Sequence, residues 1–124
     1  MYIINEKEYK CSIDIAQDIF NDNWKMKIIW HLLDGEKRYK ELNKEVKNIT
    51  QRTLTAKLRD LEEKNIIKRE SFAEIPPRVV YSLTPIGEKL RPILNNMFDW
   101  GIDYVNECGK FTEEGKCEPK LSRH

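Results

Sequence analysis

A chain of 124 residues has room for about one domain, and with 40% hydrophobic and 35% charged residues it can bury a modest interior. No run of about 18 apolar residues is present, so no membrane-spanning helix is expected, and the charges at Glu6, Lys7, Glu8 and Lys10 stand where a secretory leader needs an apolar centre; a cytoplasmic protein is expected. The net charge of +1 names no partner, but its distribution is uneven: between Lys37 and Arg69 there are 11 Lys/Arg against 5 Asp/Glu, and acids outnumber bases on either side.

In chain order, "CSIDIAQDIF" predicts a short first helix, with Ser12 as N-cap, Asp14 in the first turn, and Ile15 and Ile19 on one face. "NWKMKIIWHLLDG" predicts a second, from Asn23 as N-cap to Gly35 as stop. Its apolar residues surround the axis, which is the pattern of a central, buried helix. "YKELNKEV" is a third, short helix with Leu42 and Val46 inward and Lys40, Lys44 and Lys47 outward. Next comes "TQRTLTAKLRDLEEKN", with Thr50 as N-cap and Asn65 as a left-handed stop. At about 100° per residue, Leu54, Leu58 and Leu61 form one stripe, while Arg52, Ala56 and Arg59 lie opposite. "IIKRESF" and "VVYSLT" read as paired strands, and Pro76 and Pro77 between them cannot continue a ladder, so a hairpin with a proline tip is expected.

The fold class this order predicts is mainly α with a small β-hairpin: a winged helix-turn-helix, in which the second helix of the turn enters the major groove. The leucine stripe anchors that helix and the opposite face offers donors to DNA. Gln51, Arg52, Thr53, Thr55 and Arg59 are the candidate recognition residues, with Arg78 at the wing. Lys40, Lys44 and Lys57 are candidate phosphate contacts, which strengthen binding without choosing sequence. Plainer readings stand beside these: Arg59 paired with Glu63, Thr53 and Thr55 as ordinary surface, and Arg78 bracing the hairpin.

After the wing, Thr84 and Pro85 open a last helix in N-cap and first-turn positions. At about 24 residues it is about 36 Å long. Pro92 removes one of its backbone hydrogen bonds, so a break near Glu88 is expected. Ile86, Leu90, Ile93, Met97, Trp100 and Tyr104 form one apolar stripe, and Leu94, Phe98, Ile102 and Val105 add a second. Two stripes exceed what one small core needs. A homodimer through the terminal helices follows, with Ile15, Ile19, Leu90, Ile93, Leu94, Met97, Phe98 and Trp100 at its interface. Such a dimer fits a pseudo-palindromic operator on double-stranded DNA, with half-sites one helical turn or a multiple apart. Residues 11–108 are then the core of a single domain and 109–124 a polar, flexible tail.

The ordered set of Cys11, Trp24–Lys25, "LLDGEKRYKEL", "ITQRTLTAKLRDLE", "PPRVVYSLTPIG" and Trp100–Gly101 resembles the HxlR-type winged-helix transcription regulators, relatives of the MarR group. The resemblance covers Cys11 to about Gly101. It implies a homodimeric DNA-binding regulator with the recognition and wing residues named above. In that family some members respond to oxidants or electrophiles through a cysteine at the position of Cys11. The residues leave two fates open for this side chain. A helix start favours an anion, and so a thiolate, although Asp14 opposes this; a small buried cysteine is the plainer fate.

The three cysteines, Cys11, Cys108 and Cys117, show no paired spacing, so neither a disulfide scaffold nor a zinc site is expected. Pairing of an oxidised Cys11 with Cys108 or Cys117 across a dimer is a further reading. His31 and His124 suggest no metal site, and no catalytic or phosphate-cradling motif is present, so neither a cofactor nor an enzyme is expected. The competing reading is a winged-helix module that binds protein instead of DNA.

Overall fold

In a computed structural model that describes residues 1–110, 112 and 120, the chain opens with a hairpin of β1 (Tyr2–Ile4) and β2 (Lys7–Tyr9). Four helices and a strand follow: α1 (Ser12–Phe20), α2 (Lys25–Leu32), β3 (Lys37–Arg38), α3 (Tyr39–Glu45) and α4 (Gln51–Glu63). β4 (Ile67–Phe72) and β5 (Arg78–Leu83) make the wing, and α5 (Pro85–Glu88) and α6 (Arg91–Cys108) close the chain. Among the described residues no helix is long and apolar enough to cross a membrane.

The core gathers the apolar faces of the helix-turn-helix. Ile28, Ile29, Leu32 and Leu33 around α2 pack with Leu42 and Val46 at α3, with Leu54, Leu58 and Leu61 of α4, and with Ile67 of the wing and Leu94 of α6. The leucine stripe of α4 is thus the buried face that its spacing predicts. Thr50 caps α4 by accepting from the Thr53 N–H, and Asn65 (φ 61°) takes the left-handed conformation that turns the chain into the wing.

The other helix starts differ from expectation. Cys11, not Ser12, is the N-cap of α1 and makes no side-chain cap. At α2 the N-cap is Trp24, not Asn23, and the helix start is held by Asp22, one of whose oxygens accepts from the Trp24 and Lys25 amides at 2.7 and 2.8 Å. The wing also has a third strand, since Lys37 and Arg38 of β3 pair with Tyr81 and Val80, giving the order β3-β5-β4. The wing is therefore tied to the entrance of α3. Ile67 pairs with Leu83 and Phe72 with Arg78 along the hairpin, and the Ile75–Pro76 bond at its tip is cis.

The last helix breaks where expected, at Lys89 and Leu90, between α5 and α6. Thr84 caps α5 by accepting from the Gly87 N–H, and its hydroxyl lies 2.7 Å from the carbonyl of Asn65 and 3.0 Å from that of Ile66. A Cβ on Gly87 would meet the Ile66 carbonyl oxygen at 2.2 Å, so α5 docks on the exit of α4 only with glycine there. Buried Arg91 donates to the Leu33 carbonyl at 2.8 Å and pairs with Glu88, placing a cation at the C-terminus of α2.

Candidate nucleic-acid interface

Gln51, Arg52, Thr55, Ala56 and Arg59 are all exposed on α4, and Thr53 is half-buried. Among the described residues neither Arg52 nor Arg59 has an ion pair, so the pairing of Arg59 with Glu63 is not formed. Both guanidiniums keep their donors for a partner. The Thr53 hydroxyl accepts from that of Thr50 at 3.0 Å. The Tyr39 hydroxyl donates to the Gln51 carbonyl at 2.9 Å and lies 3.0 Å from the Thr55 hydroxyl. A single tyrosine from α3 thus holds the first two turns of α4. The sequence marked Tyr39 only as a position of the family motif; its role was not legible, because its partners lie on another helix.

Lys40 and Lys44 on α3 are exposed and unpaired among the described residues, as a phosphate contact requires. Lys57 is committed elsewhere: its ammonium lies 3.0 Å from the second oxygen of Asp22, inward of the exposed face. That contact belongs to a charged cluster that fixes α4 to the start of α2. Lys25, only 7% exposed, lies 2.7 Å from Asp60 and 3.2 Å from the Asp18 carbonyl, and Lys64 reaches both oxygens of Asp60 at 2.8 Å. Burial pulls the Asp60 carboxyl upward, but hydrogen bonds from Lys25 and Lys64 outweigh it and leave it below its ordinary range. Asp22 is lowered likewise, its burial outweighed by the Lys25 amide and Lys57. At Lys25 burial pulls downward, and Asp60 and Asp22 together prevail to raise it.

Arg78 is half-buried at the wing tip. It pairs with Glu74 at 3.2 Å and lies 4.1 Å from the centroid of the Phe72 ring, so it braces the hairpin here. Arg69, on β4, is the exposed wing cation without an ion pair among the described residues. His31, half-buried, is lowered by burial, which outweighs the pull of Glu45 at 3.5 Å. Among the described residues no three His, Cys, Asp or Glu side chains gather to hold a metal ion.

The residues expected at a dimer interface divide. Leu94 is core, Leu90 and Ile19 pack against the core, Ile15 is half-buried, and Phe98 stacks on Trp30 with centroids 5.7 Å apart. Ile93, Met97 and Trp100 stay exposed, at 44%, 42% and 66%, on one face of α6. Cys11 and Cys108 are free and exposed, so the buried fate of Cys11 is not the one found. Cys117 and most of the tail lie outside the described residues; Lys120 pairs with Asp34 at 2.7 Å.

A helix-turn-helix with a wing tied to it defines a DNA-binding fold, and the comparisons agree. The HxlR-like helix-turn-helix family matches residues 19–108, and the chain belongs to that family. It is 40% identical over 111 residues to the HTH-type transcriptional regulator YdeP of Bacillus subtilis, covering 90% of this chain and 87% of that one. Among solved structures it is similar to the redox regulator HypR in its reduced form (TM-score 0.74, 37% identity, 78% of this chain and 96% of that one). The reduced transcriptional regulator YodB of B. subtilis is also similar (TM-score 0.66, 28% identity, 88% and 100%). The protein is a DNA-binding transcriptional regulator of the winged-helix, MarR-like kind.

Proposed function

We propose that the chain acts as a homodimer in the cytoplasm, reading a pseudo-palindromic operator with α4 and contacting the flanking backbone with α3 and the wing. The observation that carries this reading is the pair of exposed, unpaired arginines, Arg52 and Arg59, on the face of α4 opposite its buried leucines. Gln51, Arg52, Thr53 and Thr55 face the bases, Arg59 and the lysines Lys40 and Lys44 face phosphates, and Arg78 reaches DNA only on leaving Glu74. Lys57 contributes indirectly, by holding α4 on Asp22. A protein-binding module would not need such a cationic face.

The test is fluorescence anisotropy with DNA from upstream of the protein's own gene, titrated with salt. Arg52→Ala weakens binding by about 1–3 kcal/mol and relaxes sequence preference. Lys40→Ala weakens all sequences alike and reduces the salt slope by about 1. Binding that is absent or indifferent to salt defeats the DNA reading.

HypR is described as a redox regulator, and YodB has a diamide-treated form. With Cys11 exposed at the N-cap of α1, the same kind of input is proposed for this chain, with Cys11 as the responsive thiol. Cys11→Ser abolishes the response of DNA binding to diamide; an unchanged response removes Cys11 from that role.

A further inference from the structure

A cavity of about 510 Å³ lies between the N-terminal hairpin, α1, α5 and the last turn of α4. That volume is in the range of sites for small organic ligands. Its walls are chiefly the side chains of Ile4, Ile15, Ile19, Ile66 and Ile86, with Ile4 and Ile86 left 44% and 50% exposed. The charged groups at its edge pair off with one exception. Lys7 is bound to Asp18, which also accepts from the Tyr9 hydroxyl, and Lys64 is bound to Asp60. Glu63, which also lines the cavity, has no ion pair among the described residues. An apolar chamber edged by one unmatched carboxylate suits a ligand with a hydrophobic body and a single positive charge.

We propose that this cavity binds a lipophilic organic cation, with its apolar groups against the isoleucines and its charge toward Glu63. Two of its wall residues, Asp60 and Lys64, belong to the cluster that fixes α4 on α2. Occupancy therefore bears on the set of the recognition helix. This regulatory consequence rests on the DNA reading above, whereas the binding itself does not.

The experiment is isothermal titration calorimetry of the full chain with tetraphenylphosphonium and with tetraphenylborate, ions of one shape and opposite charge. The expected result is one phosphonium per chain and borate binding at least tenfold weaker. Glu63→Gln weakens phosphonium binding at least threefold, and Ile4→Trp, which puts an indole at the cavity mouth, abolishes it. Both positions are exposed, so neither variant threatens folding. No phosphonium binding, equal binding of both ions, or indifference to both substitutions overturns the proposal. So does an Ile4→Trp chain whose sedimentation shows altered self-association while the wild type ignores phosphonium, since the cavity would then hold a second copy. Phosphonium that binds without altering DNA affinity overturns the regulatory consequence alone. A chain that binds phosphonium but no DNA overturns the DNA reading and leaves the cation site standing.

Discussion

α4 and α6 are both amphipathic, yet their apolar faces meet different fates. The stripe of α4 is finished within the protomer: Leu54 and Leu61 are fully buried and Leu58 is 2% exposed. α6 gives Leu94 to the same core but leaves Ile93, Met97 and Trp100 exposed, with Tyr104 stacked on Trp100 at 5.1 Å. Periodicity alone does not separate the two cases. What separates them is supply: α2 presents isoleucine and leucine to α4, and no described element covers the outer face of α6. One helix has its apolar face completed within the protomer, and the other leaves part of its apolar face exposed, the face on which the proposed homodimer would form.

Substitutions on the two faces should therefore report on different equilibria. The largest effect belongs to α4: Leu58→Ala lowers the unfolding free energy by about 2–5 kcal/mol in a denaturant titration, through lost burial and an unfilled cavity. On α6, Trp100→Ala leaves the unfolding of the dilute chain within about 0.5 kcal/mol. In sedimentation equilibrium the same substitution weakens self-association by about 2 kcal/mol, roughly thirtyfold. Equal effects on both measurements would erase the distinction between the helices.

Smaller in size is the contribution of the charged cluster behind α4. Asp60→Asn leaves buried Lys25 with poorer partners and is expected to destabilise the fold by about 1–2 kcal/mol. The pH dependence has a definite sign. Asp22 and Asp60 are lowered in the fold, so their stabilisation is present above the unfolded carboxylate value, about pH 4, and is lost as pH falls through their depressed folded values. Lys25 is raised, so its contribution holds below about pH 10.4 and is lost only as pH rises through its higher folded value. Thermal melts between pH 7 and pH 2 check the acid limb, where Asp60→Asn should fall less steeply than the wild type.

Features with local causes were legible in the sequence. The α4 stripe follows from leucine spacing, its two ends from Thr50 and Asn65, and the break after α5 from Pro92. The N-terminal hairpin was hidden because its turn places Asn5 and Glu6 at φ 49° and 68°, and glutamate seldom marks such a position. β3 has two residues and owes its existence to a partner more than forty positions away. At the interface, exposure of Arg52 and Arg59 was readable from the wheel. The diversion of Lys57 to Asp22 was not, since a charge pattern does not reveal which carboxylate a cation meets; for Arg78 the hairpin-bracing alternative is the one found, with Glu74 as the partner that the sequence did not specify.

The corner at Thr84 and Gly87 is a close join. The segment leading to the helix that keeps its apolar surface hangs from the carbonyls where the recognition helix ends. That helix is also tied through the core, where Leu94 packs with the α4 leucines and Arg91 reaches the Leu33 carbonyl. Any side chain at residue 87 would force the recognition helix and the closing helices apart at this corner, so the join between them depends on one missing carbon.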